Sequence, residues 1–264
     1  MISKKKSKKK LANQSGNRQN LGQKLVEFYT SGNKNIGIIG CGRSCGATTL
    51  SLLFAYYYAK SLRKKVSFTQ LTLMPERDNS LFIGLGFDRR FEDQFADIYR
   101  TALMEEGLVS VRNFFDGINF RVPDGRQNTY KEKELEEIKN NVEIPRLIAS
   151  ARGDVNIFDI DSELYKNRWV MDFDMLMVVV DPLPSFLNKY QDVIRYFIGL
   201  ENRGIKIIWI VNKMNNGVPK SQIKQVFKGR NVLFYPVIST ETVYNYQYKC
   251  QPIYKDKVVL TNFD

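Results

Sequence analysis

The chain has 264 residues, enough for one large α/β domain or two small ones, and 43% hydrophobic residues allow a sizeable core. No run approaches the roughly 18 uninterrupted apolar residues that would span a bilayer, and the polar stretch after Met1–Lys10 is unlike a signal peptide, so the cytoplasm is expected. The absence of histidine excludes a histidine general base or triad, and three cysteines (Cys41, Cys45, Cys250) fit reduced thiols rather than a disulfide frame or a zinc site.

The formal charge of +12 is uneven: residues 1–34 hold nine basic residues and one acid, so +8 of it lies there. A lysine block of this kind repels itself and reads as a disordered tail. It is either a solvated segment or a contact for an anionic membrane surface or nucleic acid. Leu21, Leu25, Phe28 and Tyr29 recur at helical spacing and predict a short amphipathic helix over about 20–30, closed by Ser31-Gly32-Asn33. Residues 1–34 are therefore set apart from a globular unit of residues 35–264.

From Asn35 the pattern alternates strand and helix. Strands are predicted at Asn35–Gly40, Lys65–Leu71, Val155–Phe158, Asp174–Val180, Ile205–Val211 and Val232–Tyr235, with a possible short one at Ile118–Val122. Helices are predicted at Thr48–Leu62, Phe91–Glu106, Glu132–Asn141, Arg146–Ala151 and Ser185–Leu200, while 72–90 reads as a long loop. Continuous Val/Ile/Leu/Met runs separated by helices point to parallel strands covered on both faces. The expected fold is a single α/β domain, doubly wound around a mostly parallel sheet. Any ligand is then expected along the edge where the strands end.

At that edge, residues 36–51 read IGIIGCGRSCGATTLS: a strand, a glycine-bearing loop and the start of a helix. Such a succession aims backbone N–H groups and the positive end of a helix at one point, a cradle for phosphate. Gly42, Arg43, Ser44, Cys45, Gly46, Ala47, Thr48 and Thr49 are the candidate phosphate-binding residues. The common pattern ends glycine, lysine, then serine or threonine, which places Thr48 to meet magnesium and puts Ala47 where lysine belongs. The pattern's first glycine falls at Cys41.

GCGRSCGATTLS is similar to the deviant phosphate loop of the MinD/ParA group of P-loop ATPases, the SIMIBI class. Laid on that pattern, its signature lysine falls at Gly42, two glycines at Arg43 and Ser44, and its second lysine at Ala47; Gly46, Thr48 and Thr49 match. VNIFDID resembles the family's second aspartate motif, which puts Asp159 on the magnesium side, with Asp161 where glycine is frequent. MLMVVVDPLPS looks like the next strand, and IIWIVNKMN like the strand whose terminal asparagine, Asn212, lies near the base. Asn212-Lys213 is also similar to a GTPase base-reading motif, whose aspartate position holds Asn215. The resemblance covers about residues 35–240 and is nearest in character to the atypical TadZ-like members, which localise pilus-assembly machinery.

The resemblance implies ATP or ADP with magnesium, held weakly or not at all because both lysines are missing, and a protein partner or a homodimer. The leading expectation is a pseudo-ATPase that positions or recruits an assembly such as a pilus or secretion machine, cytoplasmic or peripheral to the membrane. Two alternatives stay open: an active ATPase using Arg43 or a partner's residue, and a ligand-free structural adaptor. Among the remaining acids, Asp159, Asp161 and Glu163 either gather beside a metal or cap the following helix, and Asp181-Pro182 reads as a turn. Tyr56, Tyr57 and Tyr58 read as packing residues.

Overall fold

The computed structural model describes residues 34–104, 109–139 and 143–263. The basic tail and the helix expected over 20–30 lie outside the described residues. In chain order the strands are β1 (Lys34–Gly40), β2 (Val66–Leu71), β3 (Phe114–Phe115), β4 (Ile118–Arg121), β5 (Val155–Ile160), β6 (Met175–Val180), β7 (Ile207–Met214) and β8 (Val232–Pro236). The helices are α1 (Ala47–Lys60), α2 (Ser80–Gly84), α3 (Ile98–Met104), α4 (Glu132–Lys139), α5 (Glu143–Ala149), α6 (Pro184–Lys189), α7 (Gln191–Asn202), α8 (Lys220–Val226), α9 (Thr240–Tyr248) and α10 (Lys257–Phe263).

The strands form one sheet in the order β3-β4-β2-β5-β1-β6-β7-β8, parallel throughout except for β3. β2, β5 and β6 are buried along their whole length, which explains their unbroken apolar runs: both faces are covered, so no polar alternation is needed. One face carries Leu50, Phe54 and Tyr58 of α1 with Phe68, Ile157 and Met177; the other carries Ile98, Leu147, Phe197 and Phe227 against Phe158, Val178 and Trp209. From central β1 the chain turns first to one side of the sheet, through β2, and later to the other, through β6. The ends of β1, β5 and β6 therefore flank a crevice at the switch point.

Several boundaries differ from the sequence expectation for local reasons. The expected helix 91–106 is a 3-10 turn at Glu92–Gln94, an extended Phe95, and a helix that starts only at Ile98, where the Asp97 carboxylate accepts the Tyr99 N–H. The loop 72–90 contains α2. The helix expected over 185–200 is broken at Tyr190, whose backbone leaves the helical region between α6 and α7. α5 begins before Pro145, which its first turn accommodates. β3 and β4 form a hairpin over Asp116-Gly117, both at positive φ (51° and 83°), the backbone a tight two-residue turn requires.

Candidate phosphate-loop cleft

The loop between β1 and α1 is built as a cradle. Gly46 precedes the helix at φ 88°, a conformation costly for any residue with a Cβ; a Cβ there would also lie 2.3 Å from Asn212 Nδ2. Gly46 gives α1 no side-chain cap, and the Ala47 N–H turns to the Cys45 sulfur, so the amides that follow are left to a ligand or to water. The loop is fixed from below: Asn212 Nδ2 donates to the Cys45 carbonyl (2.8 Å), and Lys213 Nζ donates to the Ser44 carbonyl (2.6 Å) and to Asp181 (2.8 Å). Asp181 also accepts the Leu183 N–H, so it is a turn residue and a counter-ion at once.

Above the loop lies a cleft of about 430 Å³. Gly42, Arg43, Ser44, Cys45, Gly46, Ala47, Thr48, Thr49 and Asp159 all line it, whereas Asn212 is buried beneath the loop and does not. Four lining residues were invisible to motif reading: Gln70 and Thr72 at the end of β2, and Arg77 and Asp78 beyond it. The signal that would have found them is position, since they follow a parallel strand adjacent to β5 at its C-terminal end.

The electrostatics of the cleft run against its shape. Burial pushes the Asp159 carboxyl up to about 7; hydrogen bonds from Thr48 and Ser51 oppose this, and Asp78 and Asp161 add to it. Asp161 is raised as well, by burial and then by Asp78 and Glu163. Thr72 Oγ1 bridges two of these acids, 2.6 Å from Asp78 and 3.4 Å from Asp161. Of the two cations lining the cleft among the described residues, Arg43 is paired with Glu163 at 2.7 Å, while the Arg77 guanidinium donates to the Met74 sulfur, at 3.5 Å. Glu163 and Asp161 thus have other duties: the Asp161 carboxylate accepts the Glu163 N–H and caps a 3-10 turn.

Where the family pattern places lysine, the structure places other things. A Cβ on Gly42 would meet the Tyr190 ring at 2.3–2.6 Å, so that position is roofed by an aromatic side chain. Ala47 borders the cleft and leaves its place open. Cys41 and Cys45 are buried free thiols; burial, and for Cys41 also the neighbouring Cys45, pushes both up, Cys45 to about 11, so neither offers a thiolate to a metal. Among the described residues no group of three or more His, Cys, Asp or Glu side chains converges on a metal position. Magnesium does not need one, because it is usually held by one or two carboxylates with substrate phosphates. The Thr48 hydroxyl beside the Asp159 carboxyl is a hard-oxygen pair of the kind that would hold it.

Solved structures place this architecture. A ParA family ATPase from Chlorobium tepidum TLS superposes with a TM-score of 0.62 at 13% identity, covering 89% of this chain and 98% of its own. MinD of Pyrococcus horikoshii OT3, in complex with Mg-ADP, gives 0.63 at 15% identity, covering 88% and 93%. The chain has the MinD/ParA-like P-loop fold. The MinD of the MinC:MinD cell division complex of Aquifex aeolicus is similar too (TM-score 0.61, 17% identity, covering 87% and 92%). No family model matches the sequence, and no curated protein does. Among the described residues no helix is long and apolar enough to cross a membrane.

Proposed function

We propose that this chain is a degenerate P-loop protein that holds ATP or ADP weakly, turns it over at no more than a trace rate, and positions or recruits a larger assembly. The observation that carries this reading is the mismatch inside the cleft. Its backbone is shaped for phosphate, yet three carboxyl groups face it and, among the described residues, its single lining cation without a carboxylate partner is Arg77. Phosphoryl transfer depends on neutralising charge on the transferred group, and loss of one such cation costs roughly a thousandfold or more. Magnesium, when bound, would supply charge neutralisation at the phosphates. Thr48 and Asp159 would hold it, Arg77 would meet the outer phosphate, and the Gly46 and Thr48 amides would take the inner one. The Mg-ADP found in the archaeal MinD supports this choice of ligand.

The partner is proposed to be a protein, or a second copy of this chain across the loop face, in keeping with the MinC:MinD complex. A pilus or secretion machine is the assembly suggested by the TadZ-like character of the loop. The basic segment 1–34 is proposed to add contact with an anionic surface, lipid before nucleic acid. Deleting residues 1–19 should then abolish vesicle binding without moving the thermal midpoint; equal binding by the truncated protein would reject the tail's role. The central reading is tested by calorimetry with ATP and ADP, with and without magnesium, alongside steady-state hydrolysis. Binding with negligible turnover is expected. Hydrolysis that vanishes on Thr48→Ala would instead identify an active ATPase, with Arg77 or Arg43 in the lysine's role.

A further inference from the structure

Arg121, the last residue of β4, is only 2% exposed. A guanidinium withdrawn this far from water is normally matched by a carboxylate, because an uncompensated buried charge is costly. Here its partners are neutral: Nη1 donates to Thr69 Oγ1 (3.0 Å) and Nη2 to the Leu147 carbonyl (2.9 Å). Among the described residues two of its five N–H donors meet a protein acceptor. The charge it feels is of its own sign: burial and then Arg152 lower its pKa to about 10, which still leaves it a cation at neutral pH.

The Arg121 side chain borders a cavity of about 230 Å³ that, among the described residues, shares no lining residue with the phosphate-loop cleft and is lined by no acid. Its walls are fixed. Asn119 accepts the Asn113 N–H and donates to the Val111 carbonyl, while Ser150 Oγ accepts the Val109 N–H and donates to the Arg146 carbonyl. With those groups engaged, the cations bordering the cavity among the described residues are Arg121 and the exposed Arg152, whose Nη1 donates to the Ala149 carbonyl (3.0 Å) and whose other N–H groups have no acceptor among those residues.

We propose that this cavity is a second anion site, taking a phosphate group with Arg121 as its buried charge and Arg152 as its outer one. Two guanidinium forks suit a tetrahedral oxyanion, which accepts several charge-assisted hydrogen bonds at once. The anion would supply the acceptors and the countercharge that the protein withholds from Arg121. The cavity leaves room beyond the phosphate for a small organic group, so the ligand is free phosphate or a small phosphomonoester.

The test uses the full chain carrying Ala47→Glu, which sets a carboxylate in the phosphate-loop cleft and keeps anions out of it. Inorganic phosphate and glycerol phosphate are titrated while the thermal midpoint and the arginine side-chain N–H resonances are followed. Both probes should raise the midpoint and shift the Arg121 Nε–H signal. The tighter of the two then distinguishes a free anion from an ester. Arg152→Gln, an exposed change, should weaken the response about tenfold, the loss of one charge-assisted contact. Arg121→Met should abolish it. An Arg121 signal unmoved at saturating phosphate, or an undiminished midpoint rise in Arg152→Gln, would overturn the proposal. Because the phosphate-loop cleft is blocked throughout, these results do not depend on whether it binds nucleotide.

Discussion

The phosphate-loop cleft and the Arg121 cavity are opposites. The first has backbone geometry for phosphate and side-chain charge against it: Asp78, Asp159 and Asp161 face a space in which, among the described residues, Arg77 alone is a lining cation without a carboxylate partner. The second has no phosphate-loop geometry, yet among the described residues two arginines border it and no acid does. The difference teaches that shape and charge at an anion site are set by separate parts of the chain. A glycine and a helix start fix the first; a handful of long side chains arriving from other elements fix the second.

The largest expected effect attacks the charge of the cleft. The folded-state pKa of Asp159 lies near 7, above its ordinary value of 3.8, so the folded protein binds this proton more tightly than the unfolded chain does. Stability should therefore fall as pH rises from about 4 to 7 and stay low above that, a cost of at most about 4 kcal/mol from this group. Asp159→Asn should remove that slope and raise the denaturation midpoint at pH 8. An unchanged slope in urea titrations from pH 4 to 8 would mean that the acid is not held under strain.

Next comes the shape of the loop. Gly42→Lys, which restores the family's signature residue, should destabilise the fold by about 1–3 kcal/mol by overpacking against the Tyr190 ring. Adding Tyr190→Ala should recover most of that loss; a double variant no more stable than Gly42→Lys alone would show that the ring is not the obstacle. By contrast Ala47→Lys enters open space, and should tighten ATP by about tenfold, close to 1.5 kcal/mol, without loss of stability. Calorimetry that finds no gain would count against a phosphate site at this loop. The smallest effect is expected from Arg77→Gln, which should weaken nucleotide binding a few-fold, about 0.5–1 kcal/mol, and make it less sensitive to salt. A salt dependence identical to that of the parent would remove Arg77 from the site.

Much of the fold was legible because its signals are local. Runs such as Met175–Val180 are buried on both faces and announce a parallel strand, and Gly46-Ala47-Thr48 announces a helix that begins on a glycine. The failures were local as well. Asp116-Gly117 was a readable hairpin signal, but β3 spans only two residues and offers no pattern. The break at Tyr190 has no glycine or proline to mark it; that residue closes over Gly42 instead of continuing a helix. In the candidate site, Thr48 was readable from the loop pattern and Asp159 from the resemblance of VNIFDID to the family's aspartate motif. Arg77 and Asp78 belong to no motif and enter the cleft because β2 lies beside β5.

The resemblance to the MinD/ParA pattern implied the two missing lysines; by itself the sequence determined the class of fold and the position of the glycine-bearing loop. These follow from hydrophobic period and from residue identities at fixed spacing, which act over a few residues. Only the tertiary structure decided which charges share a space. It paired Arg43 with Glu163 across 120 residues, tied Lys213 beneath the loop across 169, and buried Arg121 against neutral partners, Thr69 and the Leu147 carbonyl. Electrostatic interaction depends on distance and burial, and both are set by how the strands are ordered in the sheet rather than by their order in the chain.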